Sequence, residues 1–332
     1  MLLEYNNLYM YQNTTNLDYS PLTAPPSREV TTPNTAFASG ALRQVWAFIA
    51  IGGVCLLLGI VGVVATQNAA LGIIGGVAGA ILLIYGLINL FKVKARIGRN
   101  VAFQAFATAN NFSFTPAWSS VDEPGSIFRL GIGRATEATV QGVYNALPFW
   151  FGTHRYSIAQ GQYRQTIVIG AVAVQLPRRL PHVVFDRKGN RTHISDGIAR
   201  SQALQLEGDF NRYFSVYCPK EYAQDVLYFL TPELMEALIA MDDSLDAEIV
   251  GDRLYFYRRG PIEPNQAMVA KLFSLIADIG GAVAKNTAQY KDERSDYPGT
   301  IAAGGAALKT SLVPFIVGIV AVAALIILYF LR

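Results

Sequence analysis

Apolar and polar positions alternate along this chain on two scales. Three runs, residues 44–66, 69–91 and 312–331, contain no Asp, Glu, Lys, Arg or His. A helix rises 1.5 Å per residue, so roughly 20 such residues cross about 30 Å of hydrocarbon, and each run is long enough. Only Gln67 and Asn68 separate the first two runs, which forces an antiparallel helical hairpin. Between the second and third runs the pattern shortens. Phe112-Ser113-Phe114 and residues 127–132, 139–144, 148–158 and 165–176 alternate or are rich in β-branched and aromatic residues, the signature of strands. Turn residues at Asn145-Ala146-Leu147-Pro148 and Gly161-Gln162 make them an antiparallel meander.

Helical periods flank and follow these strands. Residues 101–110 predict a short amphipathic helix. Thr231-Pro232-Glu233 supplies an N-cap, a proline at the first helical position and an acid in the first turn, so a helix runs from there to Met241. Met268, Leu272, Leu275, Ile276, Ile279 and Val283 share one helical stripe and predict a core face. Strands are expected at His182–Asp186 and Arg212–Cys218, a helix at Glu221–Phe229, and a hairpin over residues 248–257 turning at Gly251-Asp252.

The fold class expected is therefore α+β and membrane-anchored: an N-terminal two-helix transmembrane hairpin, an antiparallel-sheet-plus-helices domain, and a C-terminal transmembrane helix. The expected organisation is a disordered tail over 1–43, the hairpin over 44–91, a β-rich subdomain over 92–180, an α+β subdomain over 181–284, a linker over 285–311 and the last span over 312–331. Asn, Thr, Tyr and Pro dominate the tail, a composition that buries little surface.

Composition agrees with the spans: across 332 residues, 52% are apolar and 15% charged, with mean hydropathy +0.29. The first run follows 43 residues instead of a short basic n-region, so it reads as a retained anchor. Charge sets orientation. Lys92, Lys94, Arg96 and Arg99 follow the second run with no acid among them, and Arg43 precedes the first, which places both segments in the cytoplasm by the positive-inside rule. The expected location is the cell membrane, multi-pass, with the N-terminus and main domain cytoplasmic and the C-terminus at the outer face. Beyond Arg99 the domain carries 20 Lys and Arg against 21 Asp and Glu up to Ser311, too balanced for a phosphate-tracking groove, so no nucleic-acid partner is expected.

Candidate chemistry is sparse. Cys55 and Cys218 form neither a disulfide framework nor a zinc site. His154, His182 and His193 lack metal-ligand spacing. His193, Ser195 and Asp196 are adjacent in a loop and lack the geometry a nucleophilic triad needs. Gly131-Ile132-Gly133 reads as a glycine bend in a strand, and Asp242, Asp243, Asp246 and Glu248 as a solvated acidic turn. No catalytic, cofactor-binding or metal residue is assigned, and no cofactor is expected. Lys92, Lys94, Arg96, Arg99, Arg178 and Arg179 are the candidates to face anionic lipid. Gly72, Gly75, Gly76 and Gly79 are the candidates for close helix packing.

The segments Val172–Pro177, Leu206–Tyr217, Leu230–Met235 and Ile249–Tyr255 resemble a family of bacterial membrane proteins built around a cytoplasmic domain of unknown function. The resemblance spans residues 100–285 and implies a bacterial membrane protein with an α+β cytoplasmic domain; it implies no reaction. The tail and third span depart from the family's commoner two-span layout. The function expected is a binding or scaffold module for a protein partner or inner-leaflet membrane lipid, with homo-oligomerisation as a further possibility. The alternative is an enzyme at the inner leaflet, using His154, His193 and Asp209.

Overall fold

The computed structural model describes residues 13–23, 28–66, 69–118, 123–160, 163–192, 194–206 and 208–310. The protein is α+β, with helices and an eight-stranded sheet that is antiparallel apart from its two-residue first strand. Its described residues divide into two compact units: Leu17–Pro116 with Glu263–Gln266, and a second built from Ala117–Ile262 with residues 13–16 and 267–310.

The first unit is helical. Helices α1 (Arg28–Thr66) and α2 (Ala69–Ala109) pack against each other. Close approach depends on glycine. A Cβ on Gly75 would lie 2.7 Å from the Gly59 Cα, one on Gly79 would lie 2.8 Å from the Gly52 carbonyl oxygen, and one on Gly72 would overlap Val63; Gly76 faces open space. The outer surface is apolar, with Leu58 65% and Phe91 72% exposed. Both helices outrun their apolar runs. No proline interrupts residues 69–109, so the second run and the amphipathic segment expected after it form one helix. Part of the expected disordered tail is docked: the Asp18 N–H donates to Asn110 Oδ1 at 2.8 Å, and Tyr19 stacks on Phe106.

Among the described residues three helices are long and apolar enough to cross a membrane: Leu42–Ala65, Gly72–Ala109 and Gln266–Asn286. In the first two, 11% of the most apolar stretch is buried; in the third, 44% is. The run 312–331, expected to be the third span, lies outside the described residues, as do the Gln67-Asn68 turn, residues 1–12 and residues 24–27.

The sheet unit is organised around one long strand. Its strands are β1 (Asn13–Thr14), β2 (Ser113–Trp118), which carries the chain in from the helical unit, β3 (Ile132–Tyr144), β4 (Leu147–Gln160), β5 (Tyr163–Arg187), β6 (Ala203–Leu204), β7 (Phe214–Tyr217) and β8 (Leu245–Arg259). Asn145 and Ala146, both at positive φ, turn β3 into β4. The first half of β5 pairs with β4; from Gly170 onward it pairs with β8, and its last residues pair with β7. It crosses residue 180 without a break, so the segments on either side share one sheet.

Successive side chains on a strand point to opposite faces, and here the two faces are covered differently. Phe149 and Phe151 project onto Phe273 of α3 (Gln266–Ser274), at centroid distances of 5.1 and 6.1 Å. That helix continues through a π-helical turn into α4 (Gly281–Asn286); Leu272, Leu275, Ile276, Ile279 and Val283 of the predicted stripe are buried, while Val269 is buried where Met268 is only half-buried. On the other face Trp150, Tyr156, Ile169, Ala171, Ala173, Tyr255 and Tyr257 form a second core with Phe128. There the cover is made of loops: the 3-10 turn Ser126–Arg129, residues 191–192 and 194–198, and residues 306–310.

Two expectations change. Residues 248–257 are not a hairpin; β8 runs straight through, and Gly251, at φ +59°, sits opposite Leu180 between two register shifts. A left-handed glycine serves a bulge as well as a turn, which is why the sequence is ambiguous there. Residues 287–310 lie along the domain. The Asp292 carboxylate accepts from the Tyr222 hydroxyl at 2.7 Å and the Ala302 N–H at 2.8 Å, and Gly305 rests against the Tyr222 ring. The Thr231 cap forms, its hydroxyl accepting from the Leu234 N–H at 3.4 Å.

Candidate functional site

Loops cover an aromatic sheet face less completely than a helix does, and a cavity of about 540 Å³ remains between them. Ile158, Ile167, Ile169 and Val250 wall it from the sheet, and Ile194 and Leu308 from the loops. Arg129, Arg191 and Arg259 line it as exposed side chains, with Asp196 the acid among the lining residues.

Beneath these walls is a buried polar cluster. Val184 pairs with Glu248 across β5 and β8, so His182, two residues earlier, falls on the same face. His182 Nε2–H donates to Glu248 Oε1 at 2.7 Å, and the Leu308 N–H lies 3.2 Å from His182 Nδ1, so both ring nitrogens are engaged. Glu248 also accepts from the Tyr257 hydroxyl at 2.7 Å, the Ser126 N–H at 2.9 Å and the Ser126 hydroxyl. Burial alone raises the pKa of this carboxyl, but the His182, Ser126 and Tyr257 donors outweigh it and hold the pKa below the usual value. One strand position along, Tyr255 donates to Glu123, which also accepts from Trp150 Nε1 at 3.2 Å. Here burial wins over those hydrogen bonds and over Arg253, and the Glu123 pKa is raised.

These arrangements absorb the polar groups of the cavity floor into hydrogen bonds with one another. The result is an apolar chamber with cationic side chains around it and no acid or base left unengaged on its described floor.

The residues anticipated for chemistry lie apart. His154 is fully buried against Phe128; burial, with Arg134 adding to it, lowers its pKa to about 4, so it is a neutral core residue bonded to Thr136 Oγ1 at 3.0 Å. Asp209 is on the surface, paired with Arg212 at 3.1 Å, and His193 lies outside the described residues. Ser195 donates to Asp186, while Asp196 is exposed at the cavity. Of the basic candidates, Lys92 and Lys94 are exposed, Arg96 and Arg99 half-buried with Arg99 3.8 Å from Glu263, and Arg178 and Arg179 exposed, the former donating to the Ala288 carbonyl at 3.1 Å.

The acidic run read as a solvated turn is a correction. Asp242 accepts from Ser244 and Asp243 pairs with Arg187, but Asp246 and Glu248 are fully buried on β8. Among the described residues no group of His, Cys, Asp or Glu is placed to hold a metal. Sequence reasoning missed Ser126, Arg129, Ile167, Ile169, Glu248 and Arg259 as site residues, because they meet only through long-range strand pairing.

No family model and no curated protein matches the chain. A solved structure, the crystal structure of the mycobacterial trehalose monomycolate transport factor A, is similar at TM-score 0.37 with 10% identity, covering 54% of this chain and 94% of that one. A likeness of that size carries no argument about this chain.

Proposed function

We propose that this protein is a membrane-anchored binding module: α1 and α2 insert in the bilayer, and the sheet domain holds a small apolar ligand without transforming it. The observation that carries this reading is the cavity of about 540 Å³, within the range of small-molecule sites and walled mainly by isoleucine, valine and leucine. A chamber of that shape suits a lipid better than the flat apolar patch a protein partner docks on. The bare apolar surface of the hairpin, with Leu58 and Phe91 outward, supports insertion. Lys92, Lys94, Arg96 and Arg99 support a cytoplasmic domain.

Two measurements test the reading on the full chain. Alkaline carbonate extraction is expected to leave the protein in the membrane pellet; release into the supernatant would remove the anchor. In phosphatidylcholine nanodiscs, the neutral fluorophore N-phenyl-1-naphthylamine is expected to gain fluorescence with the wild-type protein and much less with Ile167→Trp, which fills the chamber from its half-buried wall. Equal uptake by both would show that the cavity is not a binding site.

A further inference from the structure

Resting on that reading of the cavity, we infer that its ligand is a single-chain anionic amphiphile, with one acyl chain between the isoleucines and an anionic head met by Arg129, Arg191 and Arg259. The chemistry divides the site in two. Ile167, Ile169, Val250 and Ile194 offer hydrocarbon and no hydrogen bond, which suits an alkyl chain and excludes a sugar or a nucleoside, whose hydroxyls and ring nitrogens would go unpaired. The buried donors on the floor, His182, Ser126 and Tyr257, are committed to Glu248. Those donors are not free for a polar head, which the exposed charged side chains of the lining suit instead.

Those side chains have one sign. Arg129, Arg191 and Arg259 come from three separate parts of the chain, the 3-10 turn, the loop after β5 and the end of β8, and line the same cavity, with Asp196 the acid among its lining residues. This is charge complementarity for an anion. Arg155, Arg187 and Arg253, by contrast, are drawn into ion pairs with Glu137, Asp243 and Asp252 within the same domain. A guanidinium fork takes a phosphate or carboxylate oxygen pair, and its alkyl stem extends the apolar wall toward the mouth. Leu130 and Ile158, 45% and 37% exposed, continue the hydrocarbon surface beside these arginines, as an acyl chain leaving the chamber requires. The volume sets the chain count: it falls in the middle of the range that holds one drug-sized ligand, so one acyl tail fills it.

The test uses the full chain in phosphatidylcholine nanodiscs loaded with N-phenyl-1-naphthylamine, displaced in turn by oleoyl lysophosphatidate, by monooleoylglycerol and by inorganic phosphate. Lysophosphatidate is expected to displace the dye at about a tenfold lower concentration than monooleoylglycerol, the effect of two or three exposed charge pairs, and phosphate is expected not to displace it. The double substitution Arg191→Glu, Arg259→Glu is expected to erase the tenfold advantage and leave the monooleoylglycerol value unchanged. Arg164→Glu, an exposed arginine outside the cavity lining, is expected to leave both values unchanged. Equal potency of the two lipids on the wild-type protein would overturn the inference, as would an advantage that survives the double substitution or is lost equally in Arg164→Glu. Displacement by phosphate alone would overturn it in favour of a small-anion site. In each of these cases dye uptake that depends on Ile167 still stands, so failure here is distinct from failure of the binding-module reading.

Discussion

Asp246 and Glu248 stand two residues apart on β8, side by side on one face of the sheet, and both are fully buried. They titrate in opposite directions. Burial pushes Asp246 up to about 7, with Asp186 adding to the rise, whereas Glu248 is held below its usual value. The difference is in the donors. Asp246 Oδ1 accepts from the Arg187 N–H at 2.7 Å and Asn190 Nδ2 at 2.6 Å, while its Oδ2 accepts no hydrogen bond among the described residues. Glu248 has donors on both oxygens, from His182, Ser126 and Tyr257. In a dry site the number of hydrogen bonds to the charged form, not the depth, decides whether a carboxylate is an asset or a liability.

Glu248→Leu is the strongest way to break this contrast. It strands the His182 N–H, the Ser126 donors and the Tyr257 hydroxyl in the interior, and is expected to cost about 3–5 kcal/mol, seen as a large fall in the thermal midpoint of the nanodisc-embedded protein. His182→Leu comes next, at about 2–3 kcal/mol, because a buried charge loses one of its principal donors. That variant is also expected to move the Glu248 pKa upward, toward the behaviour of Asp246, which a carboxyl infrared band followed against pH would report.

Asp246→Asn sharpens the comparison through pH. A carboxyl whose folded pKa is raised binds more protons folded than unfolded, so it costs stability as pH rises from its unfolded value near 4 through about 7. Asn carries no such cost. The variant is expected to gain about 1–2 kcal/mol over the wild type at pH 8 and to lose that gain at pH 4. Glu248 has the opposite sign: its contribution is present above the unfolded value and is lost as pH falls through the folded one. Tyr257→Phe, removing one donor of several, is expected to have the smallest effect, about 1 kcal/mol.

The same pair shows what the sequence makes legible. Spacing of acids at 246 and 248 is a period of two, the period of a strand, yet next to Asp242 and Asp243 it reads as one solvated cluster. What separates them is Leu245, where β8 begins and enters the interior of the sheet. The Thr231 cap, the Asn145-Ala146 turn and the stripe from Leu272 to Val283 were legible because each depends on residues within a few positions. The cavity was not. Its walls come from residues 124 to 310, and its existence follows from a choice between helix and loop cover that no local pattern records. Nor does charge alone tell Arg187, which turns inward to the Leu238 and Ile239 carbonyls, from Arg191, which stays exposed four residues later.

The segment Leu308–Thr310 also has a mechanical meaning. Thr310 bridges Ile198, the Lys309 carbonyl accepts from the Ala199 N–H at 3.0 Å and from Gln202 Nε2 at 2.8 Å, and the Leu308 N–H reaches His182. Tension applied to the chain beyond Thr310 is borne first by these few bonds, ahead of the long ladder between β5 and β8. They act as a fuse: a load on that end reaches these few bonds before it reaches the ladder between β5 and β8.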